Sequence, residues 1–229
     1  MTPRPYVCQS LSADALQADL AWQRIYEEAM PPEEREDFQR VIVPSIRSGV
    51  SSALRASETY KSETVGIATV HHLKHPAPGT GFLVYLAADA NVRASGVGST
   101  LFRHAIRVSE ERRESSVGPA MVWEVDSPGM HGITRDEWQK RMQRIQFFRK
   151  NGGMLLDGAD AYVQPPISPV YPPVPMRLMA HKGAGGAIPN ADRTREIVRA
   201  MYTEKYGATS GVAHETLEKL FRTMYGEEL

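Results

Sequence analysis

The sequence predicts an α/β fold of the α+β kind, in which helices flank a mixed, mostly antiparallel sheet. Three observations predict it: the order of elements along the chain, a glycine turn where a strand gives way to a helix, and a composition ordinary for a globular domain. The 229 residues are 41% hydrophobic and 24% charged, enough for one sizeable domain with an appendage. Lys+Arg and Asp+Glu both number 27, so no overall field draws nucleic acid or an anionic membrane toward the chain. The single cysteine, Cys8, excludes an internal disulfide and fits a reducing compartment. The first residues lack the apolar stretch of a secretion signal, and no run approaches membrane-spanning length. The expectation is a cytoplasmic protein without nucleic-acid or membrane partners.

Pro5 to Leu11 reads as a short strand. A helical pattern follows from Ala13, with Ala18, Trp22, Ile25 and Ala29 on one side, and Pro31-Pro32 interrupts it. A second short helix is expected from Glu33, kinked at Pro44 and over by Gly49. Ser51 to Arg55 and Thr64 to His71 are strands, the latter apolar on both faces and hence buried on both. Gly81 to Asp89 is a further strand. Val97, Leu101, Phe102, Ala105 and Val108 mark the buried side of a helix that runs to about Arg113. Met121 to Asp126 is the next strand. Thr134 with Glu137 forms a capping box for a helix that ends at Lys150, before Asn151-Gly152-Gly153. Two strands, Ala161 to Gln164 and Pro175 to His181, flank a proline-rich connection. Residues 1–182 are read as the main domain, 183–190 as a linker, and 191–229 as a helical extension. In that extension Ile197, Val198, Met201 and Tyr202, then Leu217, Leu220, Phe221 and Met224, form apolar stripes. Such stripes need cover, and the expectation is that they help build a homodimer.

The stretch NVRASGVGSTLF, Asn91 to Phe102, carries the chemistry. Glycines between strand and helix make either a plain tight turn or a loop whose N–H groups approach phosphate oxygens, where free amides and the helix dipole favour an anion. A dinucleotide-binding reading fits poorly, because Leu101 stands where a third glycine belongs and several strands precede the turn.

With its flanks, LAADANVRASGVGSTLF resembles the fourth strand, pyrophosphate loop and following helix of the GNAT superfamily of acyl-CoA-dependent N-acyltransferases. Arg93, Gly96 and Gly98 occupy the signature positions. RIQFFRKNGGM, Arg144 to Met154, is similar to that family's Phe-Tyr-x-x-x-Gly-Phe segment. WEVD, Trp123 to Asp126, is similar to the fifth-strand Leu-Glu-Val-Arg of ribosomal-protein alanine acetyltransferases. The resemblance spans Pro5 to His181 and leaves out the tail after Gly183. It implies the GNAT fold, with a sheet split between strands 4 and 5.

The resemblance also implies a chemistry: direct acetyl transfer from acetyl-CoA to a primary amine, with no metal. Leu86, Ala87 and Ala88 would pair with the pantetheine arm. The amides of Arg93, Ala94, Ser95, Gly96, Val97, Gly98 and Ser99 would hold the pyrophosphate. Catalysis would come from proximity and from a strand-4 N–H, that of Ala88, polarising the thioester carbonyl. A small-molecule acceptor is expected, because the proline-rich connection and the loop after Asp126 would wall off a pocket. The family's tyrosine acid is replaced by Phe148, which would still border the cofactor, and its usual asparagine maps to Arg141. Either the thiolate leaves without an enzyme acid, or another tyrosine, Tyr85 or Tyr162, substitutes. A non-catalytic acyl-CoA-binding sensor or scaffold is the alternative function.

Glu124 shares a strand face with Val122 and Asp126. A carboxylate in a central strand is costly unless paired or facing a cleft. Glu124 is therefore a base for the incoming ammonium, a substrate ligand or a structural ion pair, with Asp126 as the second candidate base. His71 and His72 are expected to be solvated at a strand end. His131 is a candidate for lining the acceptor pocket. Cys8 is not expected to act chemically. The run EEREDFQR reads as a solvated helix face, with Glu33, Glu34 and Arg35 as alternative substrate contacts.

Overall fold

A computed structural model describes residues 6–59, 62–74, 80–113, 118–130 and 132–229. After β1 (Tyr6–Leu11) come two helices in place of the one expected, α1 (Ala13–Ala18) and α2 (Leu20–Ala29). Asp19 makes the break. Its carboxylate accepts a hydrogen bond from the Trp22 N–H at 2.9 Å and caps α2. The helical phase restarts there, so Leu16, Trp22, Ile25 and Tyr26 are buried while Ala18 is exposed. The helix expected from Glu33 is also divided. Pro32–Glu34 forms a single 3-10 turn, and Phe38–Ile42 winds as a π-helix into α3 (Val43–Arg47), with Pro44 in its first turn. Pro44 has no N–H to give and its ring crowds the carbonyl four residues back. The wider winding just ahead of it, in which the Val43 N–H reaches the Phe38 carbonyl, avoids that clash.

The sheet contains β1, β2 (Ser51–Glu58), β3 (Thr64–His72), β4 (Gly81–Ala88), β5 (Met121–Asp126), β6 (Met154–Leu155) and β8 (Val174–His181), with β7 (Val163–Gln164) pairing on β8. The spatial order is β1-β2-β3-β4-β5-β8-β6. All neighbours are antiparallel except β4 and β5. Helix α4 (Val97–Glu111) joins those two, and α5 (Arg135–Lys150) follows β5. The short β6 lies where the sequence shows only the glycine stop of α5. Gly153 permits its close approach, since a Cβ there would come within 2.7 Å of the Trp123 ring and 3.0 Å of the Phe148 carbonyl oxygen.

Two details of the sheet position the site. The parallel ladder between β4 and β5 covers only Gly81–Leu83 and Met121–Trp123; beyond it, β4 runs on to Ala88 against β3 and β5 to Asp126 against β8, with no pairing to each other. In β4 the register with β3 slips, leaving Val84 opposite no residue of β3. Such a bulge bends a strand and re-aims its backbone.

Helices α4 and α5 cover one face through Leu83, Leu101, Phe102, Trp123 and Phe148. The other face is shared. Helices α1–α3 pack on Ala53, Ile67 and Tyr85, and the tail packs on Phe82, Val122 and Leu178. The tail consists of α6 (Ala191–Ala200), a π-helical continuation over Met201–Thr209, and α7 (His214–Tyr225). Ile197, Val198, Met201, Tyr202, Leu217 and Phe221 are all buried in that shared cluster. Most of the stripes that prompted the expectation of a homodimer are thus covered by the chain's own sheet, with Leu220 and Met224 half-buried against the same cluster. Among the described residues, no helix is long and apolar enough to cross a membrane.

Candidate active site

Where β4 and β5 part, the gap opens into a cleft of about 550 Å³. Leu83 to Ala88 form one wall, and Trp123, Glu124 and Asp126 the other. Glu33 and Glu34 approach from the stretch after α2, Arg141, Arg144 and Phe148 from α5, and Lys205 and Tyr206 from the tail.

At the β4 end the backbone faces the gap. The Asp89 N–H donates to the Val65 carbonyl at 2.9 Å, on the β3 side. Backbone groups alternate sides along a strand, so the Ala88 N–H points away from β3, toward the opening. The chain then makes a 3-10 turn over Ala90–Val92, held by Asp89, whose Oδ1 accepts from the Asn91 N–H at 2.8 Å. Ala94 and Gly96 both adopt left-handed backbone, with φ of 63° and 93°. This conformation aims consecutive amides into a concavity. Among the described residues, the N–H groups of Gly96, Val97, Gly98 and Ser99 have no hydrogen-bond partner. They stand at the positive end of the 15-residue helix α4. The loop is braced by side chains. Tyr6 donates its hydroxyl to Ser95 Oγ at 2.6 Å, and the Asn151 amide donates to Ser99 Oγ at 3.2 Å.

Leu86, Ala87, Ala88, Arg93 and Phe148 all line the cleft, and Ala94 to Ser99 continue from it as loop and first helical turn. Phe148 is buried among Phe102, Trp123 and Phe147 and presents only ring carbon.

Glu124 lies on the opposite wall, on the β5 face shared with Val122, as alternation requires. Its carboxylate receives three donors. Tyr162 donates to Oε1, the Tyr206 hydroxyl lies 2.7 Å from Oε1 and 2.8 Å from Oε2, and Gln164 Nε2 is 3.3 Å from Oε2. Burial pushes the Glu124 pKa up to about 7, against the two tyrosine hydroxyls, which stabilise the anion. Glu34, across the cleft, is also raised, first by burial and then by the charge of Asp126.

Asp126 is engaged in an ion pair with Arg144. Arg141 bends back, with Nε 3.0 Å from Glu137 Oε1 and Nη1 2.8 Å from the Ser127 carbonyl oxygen. Of the two tyrosines expected to replace the family's acid, Tyr85 is locked into the wall. Its hydroxyl donates to the Glu34 carbonyl at 2.9 Å and accepts from the Glu36 N–H at 3.3 Å. Tyr162 is committed to Glu124.

Three residues at this end escaped the sequence reading: Tyr206, Lys205 and Glu36. Glu36 belongs to the run read as a solvated helix face, yet it is buried and paired with Lys205. A usable signal was present in the tail. Met201, Tyr202, Lys205 and Tyr206 share one helical stripe, and a lysine on an otherwise apolar stripe calls for a buried acidic partner. His71 and His72 also differ from expectation. Both are buried, hydrogen-bonded to Ser51 and Ser52 at 3.1 and 2.9 Å, and burial lowers their pKa values to about 3 and about 4. Their cross-strand neighbours on β2, invisible in the local sequence, supply the polar partners. Cys8 is half-buried, with its thiol pKa raised by that burial. His131 lies outside the described residues.

No protein-family model and no curated relative matches the sequence. Solved structures do match. A protein of Bacteroides thetaiotaomicron, assigned to the GNAT family of acetyltransferases, superposes with a TM-score of 0.66 at 20% identity, over 88% of this chain and 98% of its own. The chain has the GNAT fold. The same fold is shared with a GNAT-family protein of Desulfovibrio desulfuricans (TM-score 0.53, 15% identity, 77% of this chain and 97% of the other). It is also shared with an aminoglycoside 6′-N-acetyltransferase complexed with coenzyme A (TM-score 0.52, 16% identity, 76% and 95%). The split of a GNAT sheet between its fourth and fifth strands, expected from the glycine loop, is the parting of β4 and β5 described above.

Proposed function

We propose that this chain is an N-acetyltransferase, cytoplasmic, which moves an acetyl group from acetyl-CoA directly to a primary amine of a small molecule. The parting of β4 from β5 carries the reading, because it leaves strand backbone unpaired beside a loop of partnerless amides. Leu86 to Ala88 offer that edge to the amide-containing arm of the donor. The amides of Arg93, Ala94 and Gly96 to Ser99, with the α4 dipole, suit its pyrophosphate; that of Ser95, also expected to contribute, donates to the Val92 carbonyl at 3.3 Å. Residues 1–182 carry this donor site, and the extension at 191–229 completes the acceptor side.

The amine enters as an ammonium and must lose a proton before it attacks. Glu124, with a pKa near neutral, accepts that proton, directly or through water. The amine nitrogen then bonds to the thioester carbonyl carbon, whose oxygen takes negative charge beside the Ala88 N–H. As the carbonyl re-forms, the C–S bond breaks, the thiolate departs, and the nitrogen gives its second proton to water, leaving the neutral amide. Phe148 supplies no proton to it. A thiol of pKa about 8.5 leaves readily enough to be protonated by solvent. Much of the acceleration comes from holding the two reactants together. Asp126, tied to Arg144, is the second candidate for the base.

A panel of primary amines incubated with acetyl-CoA, with free thiol as the readout, tests the reading. Amine-dependent thiol release supports it. Tight acetyl-CoA binding with no release for any amine favours the non-catalytic sensor suggested by Phe148. Absence of binding removes both.

A further inference from the structure

We propose that Tyr206 is a positioning residue: it holds the Glu124 carboxylate toward the cleft and sets the pH at which that carboxylate ionises. The importance of this for turnover rests on Glu124 being the base. The hydroxyl–carboxylate contact is itself a matter of geometry.

Tyr206 comes from the tail, 82 residues from Glu124 in sequence. Its hydroxyl sits almost equidistant from both carboxylate oxygens, at 2.7 and 2.8 Å. Its single proton bridges them and fixes the rotation of the carboxylate. The ring has little freedom to withdraw. It is 3% exposed and packs near Phe82 and Tyr202, with ring centroids 6.2 and 6.1 Å away. The neighbouring residue anchors the same stretch. Lys205 binds Glu36, and its Nζ donates to Ser210 Oγ at 2.8 Å. The backbone here is π-helical, over Met201–Thr209. That winding is rare and recurs frequently at functional sites.

The polar groups facing Glu124 come from three sides. Tyr162 and Gln164 belong to the segment that forms β7, Lys205 and Tyr206 to the tail, and Glu34 to the turn after α2. Burial and Glu34 disfavour the anion, whereas the two hydroxyls and Lys205 favour it. A donor lost from this set makes the carboxylate harder to ionise. Tyr206→Phe removes one donor and keeps the ring.

The test uses the full chain, wild type and Y206F, labelled with ¹³C at the glutamate carboxyl carbon. The Glu124 signal is identified by its disappearance in E124Q. In Y206F its titration midpoint should rise by about one unit, as expected for the loss of a hydrogen bond to a charged group. The inflexion of kcat/KM against pH should move with it, so that activity on the acid side falls roughly tenfold. Acetyl-CoA affinity and cooperative unfolding should be unchanged. A Glu124 midpoint unmoved in folded Y206F overturns the proposal. A midpoint that moves while the rate profile stays put sustains the hold of Tyr206 on Glu124 and removes Glu124 as the base. The two ideas thus fail separately.

Discussion

Lys205 and Glu36, 169 residues apart in sequence, form an ion pair in which neither side chain is more than 5% exposed. The pair joins the tail to the stretch that carries Glu33 and Glu34 into the cleft. Removing one partner leaves the other charge buried alone, which costs about 3–5 kcal/mol, whereas replacing both by apolar groups is far milder. Lys205→Met should therefore lower the unfolding free energy by about that amount in denaturant titration, and Lys205→Met/Glu36→Met should recover most of the loss. A single variant as stable as wild type would show that the pair contributes nothing.

Glu124→Gln keeps the shape of the side chain and removes its basicity. Turnover with a productive amine should fall about 10²- to 10⁴-fold, the span of general-base contributions. Acetyl-CoA affinity, proposed to rest on β4 and the glycine loop, should stay the same by calorimetry. Raising the pH should restore part of the rate by supplying free amine. Wild-type turnover with an unchanged pH profile would make Glu124 structural and leave Asp126 as the remaining candidate.

The raised pKa of Glu124 also predicts the sign of a stability change. Its ordinary value is 4.5 and its folded value about 7, so between those limits the folded chain binds more protons at this site than the unfolded chain. Stability contributed by this group therefore falls as pH rises through that window. Glu124→Gln lacks the penalty. Its unfolding free energy relative to wild type should increase from pH 4.5 to pH 8, by up to about 3 kcal/mol. A difference that is flat with pH would contradict the burial of the charge.

Gly96 tests the anion loop. A Cβ at this position would meet nothing within 4 Å, but the backbone φ of 93° is one that L-residues rarely adopt. Gly96→Val should cost about 1–3 kcal/mol in backbone strain and turn the amides at the start of α4 out of line. Acetyl-CoA affinity should drop at least about tenfold, a loss of about 1.4 kcal/mol of binding, while the protein still melts cooperatively. Gly98→Ala is the comparison for stability, because its Cβ would lie at an ordinary 3.6 Å from the Phe147 ring. It should unfold no more easily than wild type.

The proposed donor side of the site was legible because its signals are local. A glycine turn, a strand before it, a helix after it and the Thr134–Glu137 cap each depend on residues a few positions apart. The threonine half of the box is present, with the Glu137 N–H donating to Thr134 Oγ at 3.2 Å, while the Glu137 carboxylate turns to Arg141 Nε at 3.0 Å. The face of Glu124 followed from strand alternation alone. The acceptor side was not legible because its contacts are distant. Tyr206, Lys205 and Glu36 acquire their surroundings only when the tail folds back on the sheet, and a charged run such as EEREDFQR does not reveal which of its members turns inward. The break at Asp19 was hidden for a related reason. A cap formed by one carboxylate outweighed a helical pattern that ran through it.

Residues 205–210 are synthesised after every strand of the sheet. A growing polypeptide leaves the ribosome N-terminus first, at about 5–20 residues per second, so Glu36 and Glu124 emerge well before the lysine and tyrosine that answer them. During that interval Glu36 lacks its lysine, and Glu124 has only Tyr162 and Gln164 to answer it. The strands and the glycine loop are complete in sequence before the tail that closes the cleft. A chain halted before Lys205 would carry the glycine loop beside a cleft still missing one of its walls.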